Sequence, residues 1–383
     1  MQEWKTYRIG DICKRVCSGG TPKSTEPSYY DGEIPWLNTK EIIFNRISST
    51  EKHITQSGLD NSSAKWIDKN SVIVAMYGAT AAKVAINTIP LTTNQACCNL
   101  SIDETKADYR FVYYWLCSRY TELASLANDG AQQNLNAQQI KDFEIKLPEI
   151  HTQQKIADLL WSIDNKIICN KSIKDNLEQQ AQALYKSWFI DFEPFKDQGV
   201  VDSEIGLIPE GWHCTTLSEF LSIKYGKDHK KLSEGIIPVY GSGGLMRYVD
   251  TKLHEGEAVL IPRKGSLNNV LYVNEAFWTV DTMFYSIPKQ EDSCIYTYLF
   301  LANKDLASMN AGSAVPSMTT DILNNMPITA PPAEVLKQFN NICDVYFSRI
   351  NQNNIENANL SNQRDTLLPK LMSGELKINE IDC

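Results

Sequence analysis

The chain carries one sequence unit twice, and this internal repeat limits its fold more than any other feature. Mostly apolar residues recur every seven positions over residues 156–184, and the same series returns 183 positions later over residues 339–367. A second series follows the first at a spacing of four in both copies. Such heptads predict one coiled-coil helix in each half of the chain, and two helices with apolar stripes should pack on each other. The seam positions are Ile156, Leu160, Ile163, Ile167, Asn170, Lys174, Leu177, Ala181, Leu184 and Trp188, and then Phe339, Cys343, Tyr346, Ile350, Asn353, Asn357, Leu360, Arg364, Leu367 and Leu371.

Each predicted helix is preceded by a globular segment of similar design. Trp4 opens the first segment and Trp212 the second, and a β-rich run that ends in a glycine appears at residues 72–78 and again at 259–265. The pattern predicts an α+β fold with an internal pseudo-two-fold repeat, in which two globular domains are separated by two long helices forming an antiparallel coiled coil. The predicted divisions are a first globular domain over 1–150, a first helix over 151–193, a connector over 194–211, a second globular domain over 212–332, a second helix over 333–376 and a tail over 377–383.

Two asparagines occupy corresponding seam positions near the middle of the helices, Asn170 and Asn353. Antiparallel pairing would bring them near one another, and a polar residue in such a seam can fix the register of the two helices while lowering stability. The alternative is that the seam is imperfect there and both side chains reach solvent. The sequence leaves these two interpretations open.

Composition limits the environment of the protein. Hydrophobic residues make up 43% of the chain, and no apolar run approaches the roughly 18 residues that a membrane helix needs. The start of the chain lacks the apolar core of a secretory signal, and the ten cysteines include no Cys-x-x-Cys pair. Such cysteines are typical of free thiols in a reducing compartment, so we expect a cytoplasmic protein without a membrane segment.

The charge disfavours a protein that binds polyanions regardless of their sequence. The net charge is −9; residues 1–150 carry 16 basic and 17 acidic side chains, and residues 200–332 carry 10 and 15. Contact with a nucleic acid would therefore have to come from local loops, with part of the phosphate attraction supplied by a partner.

Catalytic signatures are missing from the sequence. It has no phosphate-binding Gly-x-x-x-x-Gly-Lys-Ser/Thr loop, no Gly-x-Ser-x-Gly elbow, no His-Glu-x-x-His helix and no Asn/Asp-Pro-Pro-aromatic motif of amino-group methyltransferases. The five histidines are scattered without ligand spacing, so a metal site is not expected. We therefore predict a protein that binds rather than catalyses, with no catalytic residue, cofactor or metal of its own.

Candidate binding residues lie in polar loops at matching places of the two units. Small residues, hydroxyls, amides and cations are groups that approach phosphates or pair with base edges. For any single residue a solvated surface turn is the alternative, whereas recurrence in both units favours binding. In the first unit the candidates are Ser18, Gly19, Thr21, Lys23, Tyr77, Thr80, Lys83, Gln132, Gln133 and Asn134, and in the second they are Lys227, Lys230, Lys231, Arg263, Lys264, Ser266 and Ser313.

Four segments have distinctive motifs. They are the junction Trp188-Phe189-Ile190-Asp191-Phe192-Glu193-Pro194-Phe195 followed by Gly206-Leu207-Ile208-Pro209-Glu210-Gly211-Trp212, the helix start Gln153-Gln154-Lys155-Ile156-Ala157, the helix end Leu367-Leu368-Pro369-Lys370-Leu371-Met372-Ser373-Gly374-Glu375-Leu376, and the turn Gly78-Ala79-Thr80 with Lys83. These segments resemble the specificity subunits of Type I restriction-modification systems, and the resemblance covers essentially the whole chain. The second unit departs from the family pattern in the Lys264-Gly265-Ser266 turn and at the start of its helix over residues 333–337.

The resemblance implies a DNA-recognition subunit in which each globular half is a target-recognition domain for one half of a bipartite double-stranded DNA target. It also implies that the helix pair sets the unread gap and docks two DNA adenine methyltransferase subunits, to which two restriction/translocase subunits are added. S-adenosylmethionine, ATP and Mg would then be bound by those partner subunits. The alternatives are an enzyme, such as a fused nuclease or methyltransferase, and a pseudo-symmetric adaptor that binds only protein.

Overall fold

The computed structural model describes residues 4–127, 134–310 and 316–378. The chain forms two compact units, unit 1 of Met1–Ile168 with Glu356–Cys383 and unit 2 of Cys169–Ile355. Each unit therefore combines one globular region with one half of each long helix. The domain limits drawn from the sequence treat the helices as separate divisions, and those limits stay a prediction.

Unit 1 contains a five-stranded sheet in the order β2-β10-β7-β8-β4, a four-stranded sheet in the order β5-β3-β9-β6, and the pair β1-β11. Its elements are β1 (Lys5–Arg8), β2 (Cys13–Ser18), β3 (Tyr30–Leu37), β4 (Asn45–Ile47), β5 (Lys52–Ile54), α1 (Gln56–Asp60), β6 (Trp66–Ile67), β7 (Val72–Ala75), β8 (Val84–Asn87), β9 (Leu91–Thr93), β10 (Cys97–Ile102), α2 (Tyr109–Ser118), α3 (Tyr120–Ser125), α4 (Ala137–Asp142) and β11 (Glu144–Leu147).

The core of unit 1 lies between α2 and the five-stranded sheet. Phe111 and Leu116 on α2 are fully buried in one cluster with Val84 and Ile86 of β8. α2 and α3 are two helices that meet at Arg119, where ψ is 19°. In Ser118, just before the break, the hydroxyl donates to the Trp115 carbonyl at 2.8 Å.

Unit 2 repeats this plan with a six-stranded sheet in the order β15-β20-β18-β19-β16-β17 and the pairs β12-β13 and β14-β21. Its core includes the fully buried Tyr296, whose hydroxyl donates to the Thr329 carbonyl at 2.6 Å. The first long helix α5 (Ile150–Phe189) precedes its elements, which are β12 (Val200–Ser203), β13 (Gly206–Pro209), β14 (His213–Thr216), β15 (Leu221–Tyr225), β16 (Ile237–Gly241), β17 (Gly244–Val249), β18 (His254–Pro262), β19 (Leu271–Thr279), β20 (Met283–Pro288), α6 (Cys294–Ala302), α7 (Thr320–Asn324) and β21 (Pro327–Ala330).

The second long helix is α8 (Ala333–Ser373), and it runs antiparallel to α5 in both units. In unit 1 the N-terminal half of α5 packs on the C-terminal half of α8, because Leu160 and Leu371 are fully buried in one cluster. In unit 2 the end of α5 packs on the start of α8, where the Phe189 and Phe339 rings lie 4.8 Å apart. The predicted antiparallel coiled coil is therefore confirmed.

Asn170 and Asn353 both lie in unit 2, and their exposed fractions are 0% and 1%. The alternative in which both side chains reach solvent is therefore wrong. Within the described residues the Asn353 amide has no hydrogen-bond partner for either its oxygen or its nitrogen, which lowers stability. A role of these two residues in setting the register stays a prediction.

Asp164 on α5 is the polar centre of unit 1. Its carboxylate accepts a hydrogen bond from the Tyr114 hydroxyl at 2.6 Å and another from Arg364 of α8 at 2.9 Å, and it lies 3.8 Å from Arg46. The Arg46 guanidinium in turn lies 3.3 Å from the centre of the Trp161 ring. Burial raises the pKa of Tyr114, with Asp164 adding to the effect, so its hydroxyl stays a donor. The network ties β4, α2, α5 and α8 together.

The nine described cysteines are free thiols. Burial raises the pKa of Cys98, Cys117 and Cys343 to about 12, so these thiols stay protonated. None of the described helices combines the length and the apolar character that crossing a membrane requires.

Replacing Asp164 tests the network. Asp164→Ala leaves Arg46 and Arg364 partly buried without their shared carboxylate, so the free energy of unfolding should fall by about 3 kcal/mol. Chemical unfolding followed by circular dichroism measures the change. The control is Asp158→Ala on the same helix. The exposed Asp158 carboxylate accepts a hydrogen bond from Arg110, and its removal should lower the free energy of unfolding by only about 0.5 kcal/mol. Equal effects of the two substitutions would contradict this role for Asp164.

Candidate functional site

In unit 1 the loop over residues 18–23 is held by two hydrogen bonds at Gly20. The Gly20 amide donates to the Thr93 carbonyl at 2.8 Å, and the Trp36 indole donates to the Gly20 carbonyl at 2.9 Å. A Cβ atom on Gly19 would lie 2.0 Å from the Thr93 carbonyl oxygen and 2.5 Å from that of Asn94. The close approach that Gly19 permits is therefore to the backbone of its own unit, and a contact of Gly19 with DNA stays a prediction.

Unit 2 holds its loop over residues 226–231 in the same way. The Lys227 amide donates to the Thr279 carbonyl at 2.8 Å, and the Trp278 indole donates to the Lys227 carbonyl at 2.9 Å. A Cβ atom on Gly226 would lie 2.0 Å from the Val280 carbonyl oxygen. The two loops are thus equivalent, and Lys227 of unit 2 corresponds to Gly20 of unit 1.

A second loop in unit 1 turns at Gly78, whose φ of +74° suits glycine. Tyr77 forms a β-bridge with Asn134, and the Leu135 amide donates to the Met76 carbonyl at 2.8 Å. The Asn134 side-chain oxygen is buried and lacks a hydrogen-bond partner within the described residues. The structure therefore brings Tyr77 and Asn134, two candidate residues, directly together.

The corresponding turn of unit 2 is at Gly265, where φ is +87°. Lys264 forms a β-bridge with Ser317, and the Met318 amide donates to the Arg263 carbonyl at 2.9 Å. Lys264 is therefore the structural equivalent of Tyr77 in unit 1, and Ser317 is the equivalent of Asn134.

The two loops of each unit lie at one edge of a sheet, which we call the loop edge. In unit 1, β2 and β7 end where β10 begins, as the pairing of Cys97 with Ala75 shows. In unit 2, β15 and β18 end where β20 begins, and Met283 pairs with Pro262. Each loop edge therefore gathers candidate residues that are far apart in sequence.

Lysines project at matching positions of the two loop edges. Lys23 lies three residues after Gly20 in unit 1, and Lys230 lies three residues after Lys227 in unit 2. Both lysines are exposed. Asp228 beside Lys230 accepts a hydrogen bond from its amide at 3.1 Å, and this bond lowers the pKa of Asp228. In unit 1 the Thr21 hydroxyl donates to the side-chain oxygen of Gln95, so this hydroxyl is engaged within the unit.

Arg263 is half-buried and held in place from two sides. Its guanidinium lies 5.3 Å from the centre of the Tyr225 ring and donates to the Asp281 carbonyl at 3.1 Å. Tyr225 is exposed at the end of β15 and precedes the tethered loop as Ser18 does in unit 1, but it was not among the residues predicted from the sequence. The guanidinium is thus positioned at the loop edge.

The remaining candidates differ in accessibility. Lys231 and Ser266 are exposed, and Thr80 and Lys83 are half-buried at the end of the turn that starts at Gly78. The loop edges also contain four residues that were not predicted from the sequence, Gln95, Tyr225, Ser242 and Ser317. Gln132, Gln133 and Ser313 lie outside the described residues.

The loop edges offer hydroxyls, amides, cations and aromatic rings, which suit contact with phosphates and base edges. Across residues 4–127, 134–310 and 316–378, no group of three or more His, Cys, Asp or Glu side chains is arranged to hold a metal ion.

Comparison with known protein families accounts for this arrangement. The family described as the Type I restriction modification DNA specificity domain matches residues 1–179 and 209–360. The two matched segments contain one loop edge each and together cover more than half of the chain. The chain belongs to this family.

Relatives of the Type I specificity family match over nearly the whole chain. The MjaIX specificity subunit of Methanocaldococcus jannaschii is 27% identical, over 99% of this chain and 95% of its own length. The HindI specificity subunit of Haemophilus influenzae is 22% identical, over 98% of this chain and 100% of its own length. The crystal structure of a Type I S subunit from M. genitalium superposes with a TM-score of 0.62 at 20% identity, covering 96% of both chains, and supports the fold.

Membership of the Type I specificity family confirms the resemblance found in the sequence, and with it a non-catalytic recognition protein. The alternative of a fused nuclease or methyltransferase is wrong, because specificity subunits are non-catalytic. The fold class predicted from the repeat is confirmed as well.

Removing one indole donor should loosen one loop and leave the other unchanged. Trp36→Phe keeps a ring in the core but leaves the Gly20 carbonyl without its donor, so hydrogen exchange over residues 18–23 should rise about tenfold. Trp278→Phe should do the same over residues 226–231. Hydrogen exchange measured by mass spectrometry compares the two segments, and each unit is the control for the other. Equal exchange over residues 18–23 in the wild type and in Trp36→Phe would show that the indole does not hold the loop.

Proposed function

We propose that the chain is the DNA-recognition subunit of a Type I restriction-modification complex, and that each loop edge reads one half of a bipartite target in double-stranded DNA. The observation that carries this proposal is the recurrence of one tethered loop and one glycine turn at the same sheet edge in both units. A protein that binds one continuous site has no need of two such edges.

The two half-sites differ in sequence under this proposal. The backbone frame is common to both loop edges, whereas the side chains on it are different. Tyr77 and Asn134 in unit 1 stand where Lys264 and Ser317 stand in unit 2. An asparagine amide can pair with adenine and a lysine with guanine, so different groups on one frame favour different bases.

Phosphate contacts come from single lysines rather than from a basic surface. Lys23 and Lys230 are exposed at equivalent positions, while the net charge of the chain is −9. The isolated chain should therefore bind DNA weakly, and partner subunits would supply much of the positive charge around the duplex.

The long helices set the gap between the two half-sites in this proposal. A helix of 40 residues such as α5 spans about 60 Å at ~1.5 Å per residue, more than the ~34–36 Å between sites one DNA turn apart. Asn170 and Asn353 are both buried in unit 2, and a single polar residue at a seam position can specify the register of a coiled coil. We infer that these two residues fix the register and, through it, the gap.

We also infer that two DNA adenine methyltransferase subunits dock on the helices and that two restriction/translocase subunits complete the complex. In that assembly S-adenosylmethionine, ATP and Mg are bound by the partners. Ile342 and Val345 lie one turn apart on α8 and are exposed apolar residues, and Val345 has an exposed fraction of 65%. A contiguous group of exposed apolar side chains marks a surface that a partner covers, so we place the docking surface on this face of α8.

Methylome sequencing of a host with and without the gene tests the function as a whole. Loss of one bipartite methyladenine motif on deletion is the expected result. An unchanged methylome would favour an adaptor that binds only protein.

Single lysine substitutions test the loop edges with the complex reconstituted from this chain and its methyltransferase. Lys23→Ala and Lys230→Ala should each lower affinity for the motif duplex and reduce the slope of log affinity against log salt by about 1. Fluorescence anisotropy over a salt series measures both quantities. The controls are Lys106→Ala and Lys289→Ala, which follow the far ends of β10 and β20. Equal slopes for the loop-edge variants and the controls would contradict contact at the loop edges.

A charge on the exposed face of α8 tests the docking proposal. Val345→Glu should reduce co-purification with the methyltransferase at least tenfold, because a carboxylate would be buried without a partner at the interface. The chain itself should unfold as the wild type does, since Val345 is exposed. Normal assembly by Val345→Glu would place the docking surface elsewhere.

A further inference from the structure

Unit 2 carries two adjacent apolar side chains in water at the edge of its large sheet. β17 is the edge strand of the six-stranded order, and the exposed fractions of Leu245 and Met246 on it are 51% and 55%. Natural proteins usually protect edge strands with charges or bulges, because an apolar edge invites pairing with other chains. The two residues therefore call for a function.

A β-bulge produces this exposure. Val239 pairs with Arg247 and Tyr240 pairs with Leu245, so Met246 is an extra residue that has no backbone pairing partner on β16, and its sulfur lies over Gly241. A bulge re-aims side chains and is common beside functional sites. Here it interrupts the alternation of inward and outward side chains, and both apolar residues are left exposed.

The exposed pair lies beside the loop edge of unit 2. The hairpin between β16 and β17 turns at Ser242, whose carbonyl accepts a hydrogen bond from the side-chain amide of Asn269 at 2.9 Å. The Ser242 hydroxyl oxygen would lie 3.1 Å from a Cβ atom on Gly265. Since Gly265 is the turn of the loop edge, the hairpin that carries Leu245 contacts this edge directly.

Unit 1 lacks this feature at the equivalent place. There the strand that pairs with β3 is β5, and the residues before it are Thr50, which is buried, and Glu51, which is exposed and paired with Lys40. The apolar pair is thus particular to the second loop edge and is not required by the common fold.

We propose that Leu245 and Met246 form an apolar wedge that enters a groove of the DNA and partly unstacks one base step of the half-site read by unit 2. Leucine and methionine are among the side chains that architectural proteins insert between base steps. DNA is favoured as the occupant because the neighbouring loops carry the exposed Lys227, Lys230 and Lys264. The wedge would add a preference for flexible pyrimidine–purine steps, since these unstack most easily. This inference rests on the proposed reading of DNA at the loop edges.

The test uses the reconstituted methyltransferase complex and a duplex that carries the motif identified by methylome sequencing. 2-Aminopurine is placed at each position of the two half-sites in turn, because its fluorescence rises when it unstacks. With the wild-type chain, fluorescence should rise several-fold at one step in the half-site of unit 2. The double variant Leu245→Ala with Met246→Ala should abolish that rise and lower affinity roughly tenfold.

Two control variants make the result specific. The exchange Leu245→Met with Met246→Leu keeps an apolar wedge and should keep both the fluorescence and the affinity. Ile236→Ala removes an apolar side chain that is 87% exposed but precedes β16. It lies six residues before Ser242, about 20 Å along an extended strand at ~3.3 Å per residue, so its removal should change neither quantity. Thermal unfolding of each variant confirms that the fold is retained.

The outcomes separate this inference from the proposed function. One outcome is that Lys230→Ala weakens binding, while the double alanine variant binds DNA and raises 2-aminopurine fluorescence as the wild type does. The wedge is then excluded and the proposed function is retained. If the double variant instead loses the methyltransferase subunits, the pair is a protein contact and the wedge is again excluded. If the wild-type complex does not bind the motif duplex, both the proposed function and the wedge are contradicted.

Discussion

Each long helix has an apolar stripe whose exposure to water would be unfavourable, and each stripe is buried against the stripe of the other helix. In unit 1, Leu160 of α5 and Leu371 of α8 share the buried cluster of the sheet and α2. In unit 2, Tyr185 of α5 and Phe339 of α8 lie in the cluster around α6. Helix pairing is therefore part of the core of both units. Because unit 1 includes residues 356–378, its core is incomplete until the last helix has been made.

The two loop edges separate what is fixed from what varies. Backbone amides and carbonyls form the tethers, and a glycine lies at each turn. The backbone conformation of the loops therefore depends little on which side chains project from them. Tyr77 and Lys264 show how different those side chains are on one frame. A scaffold of this kind can change the bases it prefers without changing its fold. The exposed pair on β17 is a further difference between the units.

The sequence predicts what depends on local pattern and misses what depends on distant contacts. Heptad spacing was sufficient for α5 and α8, and the glycine turns marked both loop edges. A single aromatic helix over residues 109–126 would follow from spacing alone, but the structure has two helices that meet at Arg119. The role of Gly19 could not be predicted, because its neighbours Thr93 and Asn94 are some 75 positions away. The Asp164 network likewise joins residues from four elements, and no local pattern records it.

The two tryptophans that fix the tethered loops come from different strands. Trp36 lies on β3, whereas Trp278 lies on β19, and the equivalents on the parallel neighbours are Thr92 of β9 and Val239 of β16. Both indoles nevertheless reach the same carbonyl of their loop. Recombination that moved β3 into unit 2 would bring two indoles to one carbonyl, and the reciprocal graft would bring none to the other. Gene shuffling can therefore exchange these recognition modules only as intact pieces that keep both neighbouring strands together.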